Sequence, residues 1–185
     1  AELWRHPIKS HGREPLATVI LNAGKCMPWD RNWAVTHEQT KFDGSGWFYC
    51  RNFMIGSRAP KLVGIWAEFD DASGTITLRH QDCGEITFNP DQDDAAFLAW
   101  VAPLCPADRA APKAIVKAVG RGMTDSEIPS VSVTNRSSHK AVEAAIGHPL
   151  AMERWSATIW LDGIDAWDEL RWSGQKIRIG VAELE

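Results

Sequence analysis

The stretch from Lys61 to Phe69 alternates residue by residue: Leu62, Gly64, Trp66 and Glu68 oppose Val63, Ile65, Ala67 and Phe69. A period of two belongs to a strand with two different faces, not to a helix. The turn-forming run Asp70-Asp71-Ala72-Ser73-Gly74 follows, and Thr75 to Arg79 returns as a second strand. Two such runs around a turn predict an antiparallel β-hairpin. Similar short segments surround it. Leu3–Ile8 and Pro15–Leu21 read as strands with Gly12 between them, Trp33–His37 as a third, and Glu85–Phe88 as another. Gly44-Ser45-Gly46 marks a turn before Trp47–Cys50. The first half of the chain is therefore expected to be strand-rich.

Asn89-Pro90-Asp91 stops that pattern. Phe97, Leu98, Trp100 and Val101 then recur at helical spacing after Asp91, Asp93 and Asp94, acids that suit a helix N-terminus, and Pro103 and Pro106 close the segment. Lys113–Val119 reads as a strand, and Gly120-Arg121-Gly122 opens a loop. That loop divides the chain into lobes 1–119 and 120–185. In the second, Ser130–Thr134 is a strand, and Ser137 or Ser138 caps a helix running through Ala141, Val142, Ala145 and Ile146 to Gly147. Ile159–Leu161 reads as a buried strand and Asp165–Leu170 as one helical turn. Lys176–Leu184 alternates again as a final strand, and its running up to Glu185 suggests a native chain that continues. The expected class is α+β, rich in β.

Ten Trp against one Tyr is the unusual number in these 185 residues. Indole needs apolar surroundings and a partner for its N–H, so ten of them point to a large core or to aromatic-walled pockets. A net charge of -4 argues against a life on nucleic acid, which selects for basic surfaces. No apolar run approaches the ~20 residues of a membrane span, and no leader opens the chain. Cys26, Cys50, Cys83 and Cys105 have wide spacings with no C-x-x-C pair, which reads as reduced thiols in a cytoplasmic protein.

The common catalytic and nucleotide-binding motifs are absent, and no catalytic residue is assigned. The six His never pair at helical spacing and read as surface or capping residues. Three clusters carry more chemistry. Lys9 and Ser10 sit at a strand end, where an ammonium and a hydroxyl suit an anion, or are simply solvated. Asp30-Arg31 lies between Trp29 and Trp33, either presenting a guanidinium to a phosphate or forming an ion pair in an aromatic patch. Arg154 precedes the apolar Ile159–Leu161 strand, and a guanidinium held there needs an anion, from this chain or from a bound phosphate.

Taken in order, these clusters resemble the MOSC family, named for the C-terminal region of molybdenum-cofactor sulfurases. The similarity is to its two-lobed members, such as the mitochondrial amidoxime-reducing component and bacterial relatives. The matching residues are His6-Pro7-Ile8-Lys9-Ser10, then Gly24 with Asp30-Arg31-Asn32-Trp33, then Asp125 and Pro129, and Ser138 at a helix start. Arg154-Trp155-Ser156-Ala157-Thr158-Ile159 and the closing Ile177-Arg178-Ile179-Gly180 complete the series. The resemblance implies a small N-terminal β lobe of MOSC barrel type against a MOSC β-barrel, with a molybdopterin-type cofactor between them. It assigns the cofactor to Lys9, Ser10, Arg31, Ser138, Arg154 and Thr158. Ser156 and Thr158 stand where the family has Arg and Asn, and the family's metal-bound Cys would fall beyond Glu185. The implied activity is an oxidoreductase acting on small N-oxygenated substrates with an electron-donor protein as partner. The alternatives are a sulfur carrier linked to a pyridoxal-phosphate-dependent desulfurase, and a MOSC fold that has lost its site.

Overall fold

A computed structural model describes all residues from Ala1 to Glu185. Eleven strands form four sheets, of four, three, two and two strands, accompanied by two α-helices. The β-rich α+β class is as expected. Each sheet is open, and isolated bridges tie residues outside the strands to them, Ile8 to Trp33, Arg13 to Trp66 and Phe53 to Thr36.

The three-stranded sheet is the meander β4 (Trp66–Asp70), β5 (Thr75–His80) and β6 (Gly84–Phe88), paired in register from Trp66↔Arg79 to Asp70↔Thr75. Here the alternation was read correctly, because Ala67, Phe69, Ile76 and Leu78 all point into one core. The front of the expected first strand is different. Pro60–Gly64 is a 3₁₀ turn with Pro at its start, since a fixed φ and a missing N–H suit a helical turn better than a ladder. α1 (Ala95–Val101) lays Phe97 and Val101 on the same core, with Phe97 stacked on Phe88 at 5.0 Å between ring centres. Fully burying a ring like Phe97 is worth about 2–3 kcal/mol.

β3 (Trp33–His37) pairs with β7 (Pro112–Lys117) and is buried at all five positions. Both of its faces are covered. Trp33 and Val35 join the large core, while Ala34 joins a small one with Phe53, Ala118 and Met123.

The four-stranded sheet has the order β2 (Glu14–Leu16), β1 (Glu2–Arg5), β9 (Ile159–Leu161), β8 (Val133–Asn135). It joins the two ends of the chain: β1 runs antiparallel to β9, with Leu3 opposite Ile159, so this sheet draws strands from both sides of residue 120. β1 stops at Arg5, short of the expected Ile8, because Pro7 follows. Helix α2 (Arg136–Ile146) is capped by Asn135, not by Ser137 or Ser138; the Asn135 side chain accepts the Ser137 N–H at 2.9 Å. Gly147, at φ 77°, ends it as expected. The expected last strand is two strands, β10 (Ile177–Ile179) and β11 (Ala182–Leu184), folded back at Gly180-Val181. Gly180 supplies the positive φ that a two-residue hairpin turn needs. No helix is long and apolar enough to cross a membrane.

Candidate functional site

Three segments far apart in sequence are tied together by backbone hydrogen bonds. The Lys9 N–H donates to the Trp33 carbonyl at 2.8 Å, Arg31 N–H to the His6 carbonyl at 2.6 Å, and Met123 N–H to the Arg31 carbonyl at 2.7 Å. Gly122 makes this approach possible. A Cβ there would lie 2.3 Å from the Asp30 carbonyl oxygen, so no side chain fits without moving backbone. Ser10 and Arg31 hold positive φ, 61° and 52°, at the two bends that bring residues 6–10 and 30–33 side by side.

Polar side chains fill this seam. Lys9 is buried, and its Nζ donates to the Met123 carbonyl at 2.9 Å and pairs with the Asp125 carboxylate. Asp125 itself is 77% exposed, so the buried ammonium meets solvent through an exposed partner. Arg31 is buried too. Its guanidinium pairs with Asp30, donates to the Ser156 carbonyl at 2.6 Å, and reaches the Thr158 hydroxyl at 3.4 Å. Thr158 in turn receives the Ser132 hydroxyl at 3.1 Å and returns a backbone N–H to it at 2.9 Å. Asp30 accepts the His6 backbone N–H at 2.8 Å. Burial pushes the Asp30 carboxyl up, but the Arg31 charge and the His6 bonds outweigh it and hold it at about 2. His6 sits below its ordinary value, chiefly because burial disfavours the imidazolium.

Of the residues named from sequence, Lys9, Arg31 and Thr158 converge here, with Ser10 at the adjoining bend. Ser138 is occupied elsewhere. It lies in the first turn of α2, and its hydroxyl accepts the Trp167 N–H at 2.8 Å. Arg154 lies in the 3₁₀ turn Met152–Trp155 and is exposed, so water satisfies it and the expected buried guanidinium is not there. The sequence reading also misplaced the histidines. His6, His11, His37, His80 and His139 are buried, and His148 alone is exposed. The Asp30-Arg31 ion pair, one of the two alternatives read from sequence, is present, while Ser132 and His6 were not assigned to the seam. Asp30 was singled out by its place beside Arg31 between two Trp; a hydroxyl in an exposed loop such as Ser132 carried no signal.

Residues 1–103 match the model of the MOSC N-terminal beta barrel domain. The chain belongs to the MOSC family. No curated protein and no solved structure gives a significant match. Within this MOSC protein the seam can be tested against the molybdenum cofactor with which the family is generally associated. An ammonium, a guanidinium and the Thr158 and Ser132 hydroxyls are the donors that a phosphate-bearing group requires. Lys9 is the exchangeable member, because the carboxylate on it is exposed and can swing away; Arg31 is saturated by partners inside the chain. The seam thus fits the anionic end of such a cofactor. Burial pushes the Cys83 and Cys105 thiols up, and no three His, Cys, Asp or Glu converge as metal ligands.

Proposed function

We propose that this MOSC protein is a cytoplasmic molybdenum-cofactor-dependent oxidoreductase, and that the phosphate end of the cofactor docks on Lys9. The observation that carries the reading is a buried ammonium whose outer partner is a single exposed carboxylate, Asp125. An incoming phosphate takes the place of Asp125 and gains a charge-assisted hydrogen bond worth about 1.5–3 kcal/mol. The Met123 carbonyl keeps Nζ in position during the exchange. Arg31 stays fixed beside it, its charge met by Asp30 and the Ser156 carbonyl, and Thr158 and Ser132 offer hydroxyls there. When bound, the cofactor supplies a two-electron redox centre, while the protein's part is to bind and orient it. The substrate class is a small N-oxygenated compound: two electrons and two protons convert its N–OH to N–H and water. The electrons come from a donor protein.

The test is molybdenum and pterin content after purification of the protein from a host that makes the cofactor. Lys9→Met should lose roughly tenfold or more of the pterin, in line with a lost charge-assisted bond. Asp125→Asn should hold at least as much as the wild type, because it removes the competing anion. Equal pterin in a folded Lys9→Met variant, or no pterin in any of the three, rejects the reading.

A further inference from the structure

Gly120-Arg121-Gly122 opens the loop that carries Asp125, and the functional reading so far gives Arg121 no role. The backbone of this loop is satisfied in an unusual way. Residues 124–131 make no backbone–backbone hydrogen bond. Backbone carbonyls need partners, and two side chains supply them for four carbonyls here. The Trp47 indole N–H donates to the Thr124 carbonyl at 2.7 Å. The Arg121 guanidinium donates to the carbonyls of Ser126 at 2.8 Å, Ile128 at 3.1 Å and Glu127. It also donates to the Thr124 hydroxyl at 2.9 Å and to the Gly122 carbonyl at 3.3 Å, and it lies 5.5 Å from the centre of the Trp47 ring. All of these acceptors are uncharged, so Arg121 shapes the loop instead of closing an ion pair. Only a rigid, planar fork of N–H groups can reach acceptors spread this widely; an ammonium is a single point.

The same loop covers Lys9. Both partners of the ammonium come from it, the Met123 carbonyl at 2.9 Å and the Asp125 carboxylate. The two are held differently. Met123 is buried, and its N–H donates to the Arg31 carbonyl at 2.7 Å, which anchors the inner end of the loop. Asp125, Glu127 and Ile128 are exposed. The bonds from Thr124 to Ser126 and from Ile128 to Ser126 lie within the loop and move with it. The polar contacts that tie residues 125–128 to the rest of the chain are those of Arg121 and the Lys9–Asp125 pair.

We propose that Arg121 is a positioning residue: it closes residues 124–128 as a flap that keeps Asp125 on Lys9, and release of its fork uncovers the ammonium while Met123 stays in place. As a control on cofactor docking this rests on the reading of Lys9 as the docking group; the flap itself does not.

The test is the rate at which dilute acetic anhydride acetylates Lys9 in the full chain, followed by peptide mass spectrometry, with exposed Lys113 as the internal reference. Arg121→Met should raise the Lys9 rate about tenfold relative to Lys113, as expected when charge-assisted bonds that hold the closed loop are lost, with an unchanged circular dichroism spectrum. Arg121→Lys keeps the charge without the fork and should behave likewise; it serves alone if the methionine variant does not fold. Asp125→Asn should also raise the rate, and adding Arg121→Met to it should change little, because Arg121 acts through Asp125. A merely structural loss would multiply with the Asp125→Asn effect, since independent sites are additive in free energy. The proposal is overturned by an unchanged Lys9 rate in the folded Arg121 variants, or by two effects that multiply in full. A raised Lys9 rate in Arg121→Met together with equal pterin in wild type and Lys9→Met rejects the cofactor reading and supports the flap.

Discussion

His11 makes the stability of this protein depend on pH in a way that one substitution can isolate. Its side chain is fully buried, with Nδ1 2.7 Å from the Lys9 carbonyl and the ring edge-on to Phe97 at 5.8 Å. The Nδ1 proton is therefore donated to Lys9, and Nε2 faces the core without a partner. Burial lowers the His11 pKa from 6.5 to about 4, against a smaller opposing effect of the Lys9 carbonyl. The unfolded chain thus takes up a proton near pH 6.5 that the folded chain refuses until about pH 4. Where the unfolded state binds more protons, stability rises with pH. The folded state loses nothing from His11 above about pH 7 and progressively more as the pH falls through that window. At 1.36 kcal/mol per pH unit, the whole interval amounts to about 3 kcal/mol. That is a large share of the ~5–15 kcal/mol typical of a domain. His11→Asn keeps an N–H donor for the Lys9 carbonyl and removes the titration. Urea unfolding followed by tryptophan fluorescence at pH 7, 6, 5 and 4 gives both curves. The wild type should lose about 3 kcal/mol more than the variant between pH 7 and pH 4. His6, whose pKa is also lowered by burial, titrates in both proteins and cancels in the difference. Parallel curves would show that the His11 imidazole is protonated as readily in the folded state as in the unfolded chain, and the argument would fail.

Two further predictions concern the seam. Asp30→Asn should cost about 3–5 kcal/mol in urea unfolding, the range for breaking a buried ion pair, because Arg31 is buried with it and cannot reach water; a loss under 1 kcal/mol would show that Arg31 finds another partner. Gly122→Ala should cost about 3 kcal/mol, the upper end for overpacking, because the new Cβ meets the Asp30 carbonyl at 2.3 Å. Its thermal midpoint should fall accordingly, and an unchanged midpoint would mean that the 120–125 loop does not pack on Asp30.

The parts of this protein legible from sequence are those decided by neighbours in the chain. Thr75–His80 and α1 were visible because a period of two or of 3.6 is a local property. The stop of α2 at Gly147 was visible for the same kind of reason, since only glycine enters the left-handed region at little cost. Local reading failed where a single residue redirects the backbone, as Pro60 does at the 3₁₀ turn and Gly180 at the final hairpin. The resemblance brought Lys9, Arg31 and Thr158 to one place, but composition and spacing could not say how their charges are met. Lys9 finds Asp125 at a separation of 116 residues, and Arg31 finds Thr158 at 127. Whether a charge is buried, and against what, depends on the pairing of β1 with β9 and on the approach of Gly122 to Asp30. Those are long-range events, so from sequence Lys9 stood between an anion site and a solvated strand end, Arg31 between a phosphate and an ion pair, and the His residues read as surface or capping side chains. Tertiary structure turned them into a buried polar interior, where each charge must be paired and burial disfavours the imidazolium of His6 and His11, because the energy of an ion is set by the dielectric around it.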